Sequence, residues 1–323
     1  MTTCLALYNP LPSALAHYRM ALEPLLAGTP GPRWDDLPGV EVGGTRITKA
    51  KLMATHVGAL LRRDVDVPLL DLWPGFGHLE TSLLASRRAA SAVVLHDPEA
   101  LRTARGYGPA SVRLAASCSG RVVAVAHSRA AERRLGEMGY RRVRYVPHPI
   151  RQVSVRLDVD RVVRVLGQYK TARDLDLLVG LAPWLEREGL RCEIIGRGWP
   201  DVRGWHVDAR FLDEWEFTDA LASSAAVLVP YRHYWQSGVA VRALELGTPV
   251  VGPIAGFLGE LFGAAWPGLV SSARLDDPRA WADAIVAVDK QDRTMGAAAL
   301  AAYAAGGAAA WAEVFEQIGA APA

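Results

Sequence analysis

The sequence predicts an α/β protein made of two doubly wound parallel-sheet domains, and three observations support this fold class. The chain has 323 residues, about twice the length of a typical domain. Half of its residues are hydrophobic, which is enough for two cores. Short apolar runs alternate with helical patterns along the chain, an order typical of parallel sheets covered by helices.

The first half of the chain contains five apolar runs that we interpret as strands: 4–8, 67–72, 92–95, 121–126 and 143–146. Between them lie stretches with helical periodicity, at 14–26, 78–89 and 129–138. The regular alternation predicts one parallel sheet with helices on both faces.

The same alternation restarts in the second half. The predicted strands are 162–166, 192–195 and 225–229, and the predicted helices are 175–188 and 214–223. Pro147-His148-Pro149 interrupts regular structure before this restart, which is typical of a linker. We therefore expect a first domain over 1–152 and a second domain over 153–307.

The cysteines and the apolar segments favour a cytoplasmic protein. Cys4, Cys118 and Cys192 are far apart and odd in number, which suits a reducing compartment and gives no zinc spacing. The N-terminus lacks the charged region of a signal peptide. The uncharged stretch 295–312 is mostly Ala and Gly, so we expect a pair of Ala-rich helices rather than a membrane span.

Charge is distributed unevenly along the chain. Residues 1–150 hold 19 basic and 12 acidic residues, and residues 151–323 hold 17 and 22. A basic first half suggests an acidic small-molecule partner or an anionic membrane surface, although a solvated arginine-rich face is the other interpretation. Nucleic acid is disfavoured because the arginines are not interleaved with aromatic residues. Only four of the 36 basic residues are Lys, which is typical of a GC-rich bacterial genome.

The segment from Val227 to Val251 contains the clearest functional pattern. A strand ends in a polar loop, Ser237-Gly238 opens a helix, and Gly247 closes it before another strand. Such a helix start offers backbone N–H groups, a hydroxyl and the positive dipole end to an anion, often a phosphate. The alternative is an ordinary helix cap, because Ser is among the preferred cap residues.

The wider arrangement resembles the donor-binding segment of the retaining GT-B glycosyltransferases, in the Gln-Ser-Gly subgroup of glycosyltransferase family 4. The matching pieces are Pro230-Tyr231-Arg232, Gln236-Ser237-Gly238-Val239 and Gly247-Thr248-Pro249-Val250-Val251. The resemblance implies two Rossmann-like domains facing a cleft, with the C-terminal helix, 308–323, packed back on the first domain. It also implies that donor contacts come from Tyr231, Ser237, Gly238 and Val239.

The loop after the strand 162–166 resembles the cationic loop of the same family. That loop usually carries an Arg and a Lys that neutralise the donor diphosphate and the charge that builds on it as the sugar leaves. When this loop is aligned with the family's loop at Gly167, Arg173 takes the usual Lys position and Gln168 takes the usual Arg position. Lys170 is then a candidate for the missing charge, with a solvated loop as the alternative.

Two further pieces of the second half match the donor site. Gly196-Arg197-Gly198 follows a strand, where the family places the nucleotide base, although a simple turn has the same pattern. The stretch ending at Leu212 resembles the one whose backbone meets the base.

The glutamate pair that many family members carry is absent, because the resemblance places Tyr234 and Arg242 there. Glu245 is the remaining candidate for a donor contact, with an ion pair to Arg242 as the alternative.

The first half contributes a candidate catalytic residue, His96, in a strand that ends His-Asp-Pro. In the retaining group a histidine at this place positions the substrates by a hydrogen bond. The alternative is a turn histidine with Asp97 capping the next helix. The loop 9–14 lies where the family has a Gly-Gly pair close to the donor phosphate and acceptor, here replaced by Ser13-Ala14, and with the helix that follows it contributes Ser13 and His17 as acceptor candidates. The glycines and aromatic residues of the loop 73–78 would suit an acceptor ring and contribute Gly75 and Phe76, with a well-packed loop as the alternative. His127 and His148 are expected to be structural.

No metal or cofactor is expected beyond the nucleotide-diphosphate sugar substrate. Asp64-Val65-Asp66 and Asp158-Val159-Asp160 look like a metal motif of another fold, but both precede strands. The resemblance implies metal-independent transfer with retention to an acceptor hydroxyl. The length of the chain and its basic first half suggest a small-molecule or lipid-linked acceptor, and the basic half would also suit peripheral contact with an anionic membrane.

Three alternatives stay open. The missing glutamate pair would suit a non-catalytic partner that binds the nucleotide sugar without turnover. A nucleotide-sugar epimerase would need more acid–base groups than His96. A dinucleotide dehydrogenase is the weakest, because no Gly-x-Gly-x-x-Gly follows the first strand.

Overall fold

The protein divides into two compact units in a computed structural model. The first unit comprises Met1–Pro149 and Ala305–Ala323, and the second comprises Ile150–Ala304. The structure describes residues 4–29, 31–37, 46–62, 66–101, 104–151, 153, 158–290 and 295–319. The predicted boundary at residue 152 lies outside these residues, as do Asp64, Val65 and the end of the predicted last helix, 320–323.

The sheet of the first unit has six strands, all paired in parallel. They are β1 (Ala6–Asn9), β2 (Arg33–Asp36), β3 (Leu69–Asp71), β4 (Ser91–Val94), β5 (Val122–Ala126) and β6 (Val143–Tyr145). Their spatial order is β2-β1-β3-β4-β5-β6. Every residue of β4 and β5 is buried, as expected for strands covered on both faces.

Five helices of the first unit follow these strands along the chain. They are α1 (Ala16–Leu22), α2 (Arg46–Arg62), α3 (His78–Leu84), α4 (Pro109–Cys118) and α5 (Arg129–Glu137). The helix predicted at 14–26 is shorter than expected, because Pro24 falls in a separate 3₁₀ turn, Glu23–Leu26. Ser128 caps α5 by accepting a hydrogen bond from Ala131 N.

The second unit repeats the architecture with six parallel strands. They are β7 (Val162–Leu166), β8 (Arg191–Ile195), β9 (His206–Asp208), β10 (Ala226–Leu228), β11 (Val250–Pro253) and β12 (Leu269–Val270), in the order β12-β11-β10-β7-β8-β9. The helices are α6 (Leu175–Arg187), α7 (Glu214–Ala222), α8 (Gly238–Glu245), α9 (Phe257–Phe262) and α10 (Pro278–Asp289).

Both faces of the second sheet are covered. Val165 and Leu228 belong to a core with α6 and α10, while Leu166 and Val227 belong to a core with α7, α8 and α9. Neighbouring residues of a strand point to opposite faces, so the two cores lie on either side of the sheet. The predicted fold class of two doubly wound parallel sheets is therefore confirmed.

The last helix, α11 (Met295–Gln317), is one continuous element. We expected two Ala-rich helices over this region, so that part of the prediction was wrong. Gly307 stays inside the helix and lies against Pro147, where an added Cβ would be 3.6 Å from the proline ring. Beyond it, Trp311, Val314 and Phe315 pack into the core of the first unit.

Among the described helices, none combines the length and hydropathy that crossing a bilayer requires.

Candidate functional site

The topological switch of the second sheet lies between β7 and β10, because the chain proceeds outward in opposite directions from that pair. Ligands of doubly wound sheets bind beyond the carboxyl ends of the strands at such a switch. The loops that follow these two strands meet there. Arg232 N donates to Ala172 O at 3.1 Å, and Asp174 N donates to Pro230 O at 2.9 Å. The candidate site is centred on these loops.

Two glycines allow neighbouring loops to pack backbone against backbone. Gly167 follows β7 and has a φ of +92°, a conformation that favours glycine. Gly196 follows β8, and a Cβ there would lie 2.3 Å from the carbonyl oxygen of Gly167. Gly196 is therefore required by the close contact between the loops, and both predicted glycines lie at the switch point.

Arg173 is the most informative side chain of the site. Its guanidinium is buried, with Nε donating to Tyr231 Oη at 2.9 Å and Nη2 donating to Leu166 O at 2.8 Å. The rings of Trp199 and Tyr231 lie 4.8 and 4.9 Å from the guanidinium carbon. These contacts fix its orientation, while Nη1 has no hydrogen-bond partner among the described residues.

The positive charge of Arg173 also lacks a counter-ion. Within the described part of the chain Arg173 forms no ion pair, and the adjacent carboxylate of Asp174 is paired with Arg232 at 2.7 Å. Burial lowers the pKa of Arg173, because desolvation disfavours the charged form. A buried, uncompensated cation at a switch point is an incomplete site, and an anion would complete it.

The N-terminus of α8 lies next to the same loop. The side chain of Val239 is 3.9 Å from the place of a Cβ on Gly167. Ser237 caps the helix by accepting from Ala240 N at 3.3 Å, so its side chain has the structural role that was the alternative prediction. The first N–H groups of a helix have no partner within it, so Gly238 and Val239 can donate to an anion. The buried indole N–H of Trp235 also has no partner among the described residues.

Lys170 and Leu212, two further residues of the predicted donor site, differ from each other in their exposure. Lys170 is exposed, so the structure does not bring it into the buried site with Arg173. The side chain of Leu212 is buried in the core, which leaves only its backbone for a ligand. Its neighbour Phe211 is 70% exposed, with the guanidinium of Arg197 5.0 Å from its ring. Sequence reasoning missed this exposed aromatic surface.

The structure does not bring Glu245 to the site. It is the last residue of α8, about 12 Å along the helix from Ser237 at 1.5 Å per residue. Its buried carboxylate accepts from Arg151 N at 2.7 Å. The predicted alternative partner, Arg242, pairs with Glu214 at 2.8 Å. Glu245 therefore holds the segment that enters the second unit, and its predicted donor contact stays a prediction.

His96 lies beyond the end of β4 and is buried. Its Nε2 donates to Leu72 O at 2.9 Å, which leaves Nδ1 as a hydrogen-bond acceptor. The ring of Trp73 is 4.8 Å from the His96 ring, and those of Tyr18 and His127 are 5.6 and 5.4 Å away. His96 is thus held in one orientation by the loop after β3.

His127 and His148 surround Tyr18 in the same cluster. Tyr18 Oη is 3.0 Å from His127 Nε2, and His127 Nδ1 donates to Val146 O at 2.7 Å. Burial lowers the pKa of His127 well below its usual value and that of His148 to about 3. Both imidazoles are therefore neutral at pH 7, consistent with the predicted structural role.

The four predicted acceptor residues lie in two loops of the first unit. Ser13 and Gly75 are exposed, and His17 and Phe76 are partly buried. A Cβ on Gly75 would lie 2.9 Å from Nε2 of His56, and the ring of Phe76 is 5.4 Å from the His56 ring. Sequence reasoning missed His56 and its partners, because no motif connects these distant positions.

Among the comparisons with known proteins, the one with solved structures identifies the fold. No protein-family model matches the chain, and no curated protein matches it. Solved structures do match. A UDP-forming α,α-trehalose-phosphate synthase from Burkholderia xenovorans has a TM-score of 0.63 at 11% identity, covering 98% of each chain. The N-terminal domain of Candida albicans trehalose-6-phosphate phosphatase has a TM-score of 0.63 at 10% identity, covering 98% of this chain and 96% of that one.

A third match is S. aureus TarM, solved with fondaparinux, alpha-GlcNAc-glycerol and UDP. Its TM-score is 0.60 at 13% identity, over 77% of this chain and 54% of TarM. The chain thus spans about half the length of that protein. At these identities the likeness establishes the fold, and the GT-B fold predicted from the sequence is confirmed.

Proposed function

We propose that the protein is a glycosyltransferase that moves a sugar from a nucleotide-diphosphate sugar to a hydroxyl group of an acceptor. The observation that supports this proposal most strongly is the buried guanidinium of Arg173, which has a free Nη1 and no counter-ion among the described residues. A diphosphate supplies the missing charge and acceptor oxygens. The neighbouring helix start, at Gly238 and Val239, adds backbone donors.

The same groups would stabilise the leaving group. As the bond between the anomeric carbon and the diphosphate oxygen breaks, negative charge grows on that oxygen, and Arg173 and the start of α8 offset it. The acceptor oxygen forms the new bond on the same face, and its proton passes to the departing diphosphate, giving retention. This transfer requires no protein nucleophile. Tyr234 and Arg242 stand where many family members have glutamates. With positive charge already supplied, we expect no essential metal.

His96 would position a substrate hydroxyl in the first unit. Its Nδ1 is an acceptor, so it can receive a hydrogen bond but cannot donate one in this tautomer. We propose that Ser13, His17, Gly75 and Phe76 contribute to the acceptor side. Because Lys170 is exposed, we propose that it attracts the donor rather than contacting the diphosphate in a buried site.

Uridine is the first base to test. The TarM structure contains UDP, and the trehalose-phosphate synthases are described as UDP-forming. The exposed ring of Phe211 beside Arg197 offers a flat surface on which a base can stack. The backbone around Gly196 and Leu212 lies in the same part of the unit, after β8 and β9.

The acceptor is proposed to be a small molecule or a lipid-linked intermediate. The positive first half of the chain favours an anionic acceptor, and it would also support peripheral contact with an anionic membrane on the cytoplasmic side. The three cysteines are free thiols, which suits a cytoplasmic site of action.

The proposal is tested by a thermal-stability screen with UDP, GDP, dTDP, ADP, their common sugars and NAD(H), with and without Mg²⁺. A ligand that binds only the folded protein must raise the melting temperature. We expect one diphosphate to do so without metal, and Arg173→Ala to abolish the shift. Lys170→Ala, in the same loop but exposed, is the matched control and should retain it. Stabilisation by NAD(H) alone, or by none of these, would overturn the proposal.

A non-catalytic nucleotide-sugar-binding protein is the second candidate, favoured by Tyr234 and Arg242 at the positions of the usual glutamates. It predicts the same thermal shift without turnover. Incubating the stabilising nucleotide sugar with the protein and candidate acceptors, and following sugar transfer or slow hydrolysis by NMR, distinguishes the two. If the wild type releases the nucleoside diphosphate and Arg173→Ala does not, the result supports a glycosyltransferase.

A further inference from the structure

A chain of buried polar side chains lies at the switch point of the first sheet, between β1 and β3. Tyr8 Oη is 2.5 Å from His56 Nδ1, and His56 Nε2 is 2.8 Å from Glu80 Oε1. Glu80 lies next to Asp71, and the interaction between the two carboxyl groups affects the pKa of both. Asp71 and Glu80 are 0% exposed. The chain joins a strand, α2, α3 and the neighbouring strand, so it is formed only in the folded unit.

This cluster holds the loop that follows β3. Asp71 Oδ1 accepts a hydrogen bond from Trp73 N at 3.2 Å, and Glu80 Oε2 accepts one from Phe76 N at 2.9 Å. The two carboxyl groups therefore bind the backbone of the loop at both ends.

The loop in turn fixes His96. Leu72 O receives the Nε2–H of His96, and the ring of Trp73 lies 4.8 Å from the imidazole. A displacement of the loop would remove the group that sets the tautomer of His96. Because Nδ1 is an acceptor only while Nε2 carries the proton, the loop determines which hydrogen bond His96 can make.

The two carboxyl groups lack donors for their remaining oxygens. Asp71 Oδ2 and Glu80 Oε1 receive no aligned hydrogen bond from the described residues, although His56 Nε2 is near the latter. Two ionised carboxylates in contact and fully buried would repel each other. A single proton between them removes one charge and supplies the missing donor.

The surrounding groups leave the pair without a positive charge. His56 on α2 is held neutral because burial lowers its pKa, and Tyr107 before α4 is held neutral because burial raises its pKa. Tyr8 approaches from β1. No Lys or Arg of the described residues pairs with either carboxyl. Burial raises the pKa of Asp71 well above its usual range and that of Glu80 to about 7.

We propose that Asp71 and Glu80 share one proton in the folded protein and act as positioning residues for the loop 72–77, and through Leu72 and Trp73 for His96. The assignment of this loop to acceptor binding rests on the proposed function, whereas the shared proton and the loop contacts do not. Neither carboxyl contacts solvent, so both act through the backbone they hold.

The shared proton is tested by measuring the unfolding free energy of the whole chain as a function of pH. Glu80 binds a proton more tightly when folded, so its contribution to stability is present below pH 4.5 and is lost as the pH rises through about 7, which leaves the pair with the one proton that the two carboxyl groups share. Glu80→Gln removes this titration. The folding equilibrium constant of the wild type relative to Glu80→Gln should therefore fall about 100-fold over this range. Comparing two chains cancels the contributions of the histidines that do not contact Glu80.

The control for this experiment is Glu137→Gln, an exposed glutamate on α5. Its curve should run parallel to the wild type, while Asp71→Asn should alter the same pH range as Glu80→Gln. If the Glu80→Gln and wild-type curves are parallel, the proposal is overturned. Both test variants keep side-chain volume, so this measurement decides the proposal even if a more disruptive variant does not fold.

The positioning role is tested by amide hydrogen exchange in residues 73–77. Glu80→Ala should accelerate exchange there at least tenfold, and Glu80→Gln should restore protection, because an amide oxygen still accepts from Phe76 N. Equal exchange in the two variants would contradict the role. In turnover, Glu80→Ala should raise the acceptor KM without changing nucleotide binding. A protein that binds no nucleotide refutes the proposed function but leaves the pH and exchange results intact.

Discussion

Arg164 and Arg173 are two buried arginines of the second unit, and their surroundings differ completely. Arg164, in β7, donates to Glu193 at 2.8 Å and to the hydroxyls of Ser223 and Ser224, and it also pairs with Asp160 at 3.3 Å. Arg173, in the loop after the same strand, donates to one tyrosine hydroxyl and one backbone carbonyl.

The difference supports a structural role for Arg164 and the proposed binding role for Arg173. The hydrogen-bond donors and the charge of Arg164 are matched within the fold, so no ligand is needed to explain its burial. Arg173 has a free Nη1 and no carboxylate among the described residues. Its position at the switch point, beside the start of α8, makes a diphosphate the simplest completion of the site.

The largest expected effect is on the stability of the ligand-free protein. Arg164→Met removes a buried guanidinium that binds the half-buried carboxylate of Glu193 and two serine hydroxyls, and it should cost roughly 3 kcal/mol of unfolding free energy. Arg173→Met removes a buried charge that has no counter-ion, so the change should be within about 1 kcal/mol. Urea unfolding of both variants measures this. Equal losses would remove the contrast between the two arginines.

The buried histidines of the first unit differ from both arginines, because they are buried in the neutral form. The pKa of His148 is lowered to about 3 by burial, so its contribution to stability is present above pH 6.5 and is lost as the pH falls toward 3. His148→Gln should reduce this acid sensitivity, by up to roughly tenfold in the folding constant per pH unit. Unfolding curves between pH 7 and pH 4 measure it, with the exposed His206→Gln as control. Unchanged acid sensitivity in His148→Gln would argue against a buried neutral imidazole.

Gly238 tests whether backbone at the start of α8 touches the ligand. A Cβ there meets no atom within 4 Å, so Gly238→Ala should not destabilise the folded protein. If a diphosphate approaches this backbone, the added methyl group should weaken binding about tenfold, or about 1.4 kcal/mol. Gly136→Ala, in α5 and equally open, is the control. Undiminished affinity in Gly238→Ala would place the anion elsewhere.

Phe211 tests the proposed base surface and has the smallest expected effect. Its ring is 70% exposed, so Phe211→Ala should leave stability within about 0.5 kcal/mol. Loss of stacking should weaken nucleoside diphosphate binding by about 1 kcal/mol or more, but pyrophosphate binding should not change. Trp215→Ala, at 75% exposure, is the matched control. Similar losses in both variants would argue against base stacking at Phe211.

The sequence predicted the strands that are buried on both faces and the edge strand β6, but it missed the edge strands β2, β9 and β12. β7 was predicted at its observed bounds, because a run of apolar residues is what burial on both faces requires. β2 reads Arg33-Trp34-Asp35-Asp36 and pairs only with β1, so it has no apolar pattern. β9 and β12 are also edge strands, of three and two residues.

The positions of the candidate-site residues after the strands could be predicted from the sequence, but their contacts could not. The resemblance located Arg173, Tyr231 and Gly167 at the ends of neighbouring strands. It did not show that Arg173 is buried, because its partner Tyr231 is 58 residues away and the contact exists only after folding. Asp71, Glu80 and His56 belong to no motif, since they meet through β3, α3 and α2 rather than through spacing. Glu245 was assigned by spacing alone, and its orientation on α8 gives it another partner.

The most direct test of the central claim is calorimetric titration of the wild type, Arg173→Met and Lys170→Met with the nucleoside diphosphate that stabilises the protein, in the presence of EDTA. We predict binding to the wild type and to Lys170→Met, with affinity at least 100-fold lower in Arg173→Met, a loss of about 2.7 kcal/mol. Equal affinity in Arg173→Met, or no binding of any nucleoside diphosphate to the wild type, would contradict the claim that Arg173 binds the diphosphate of the donor.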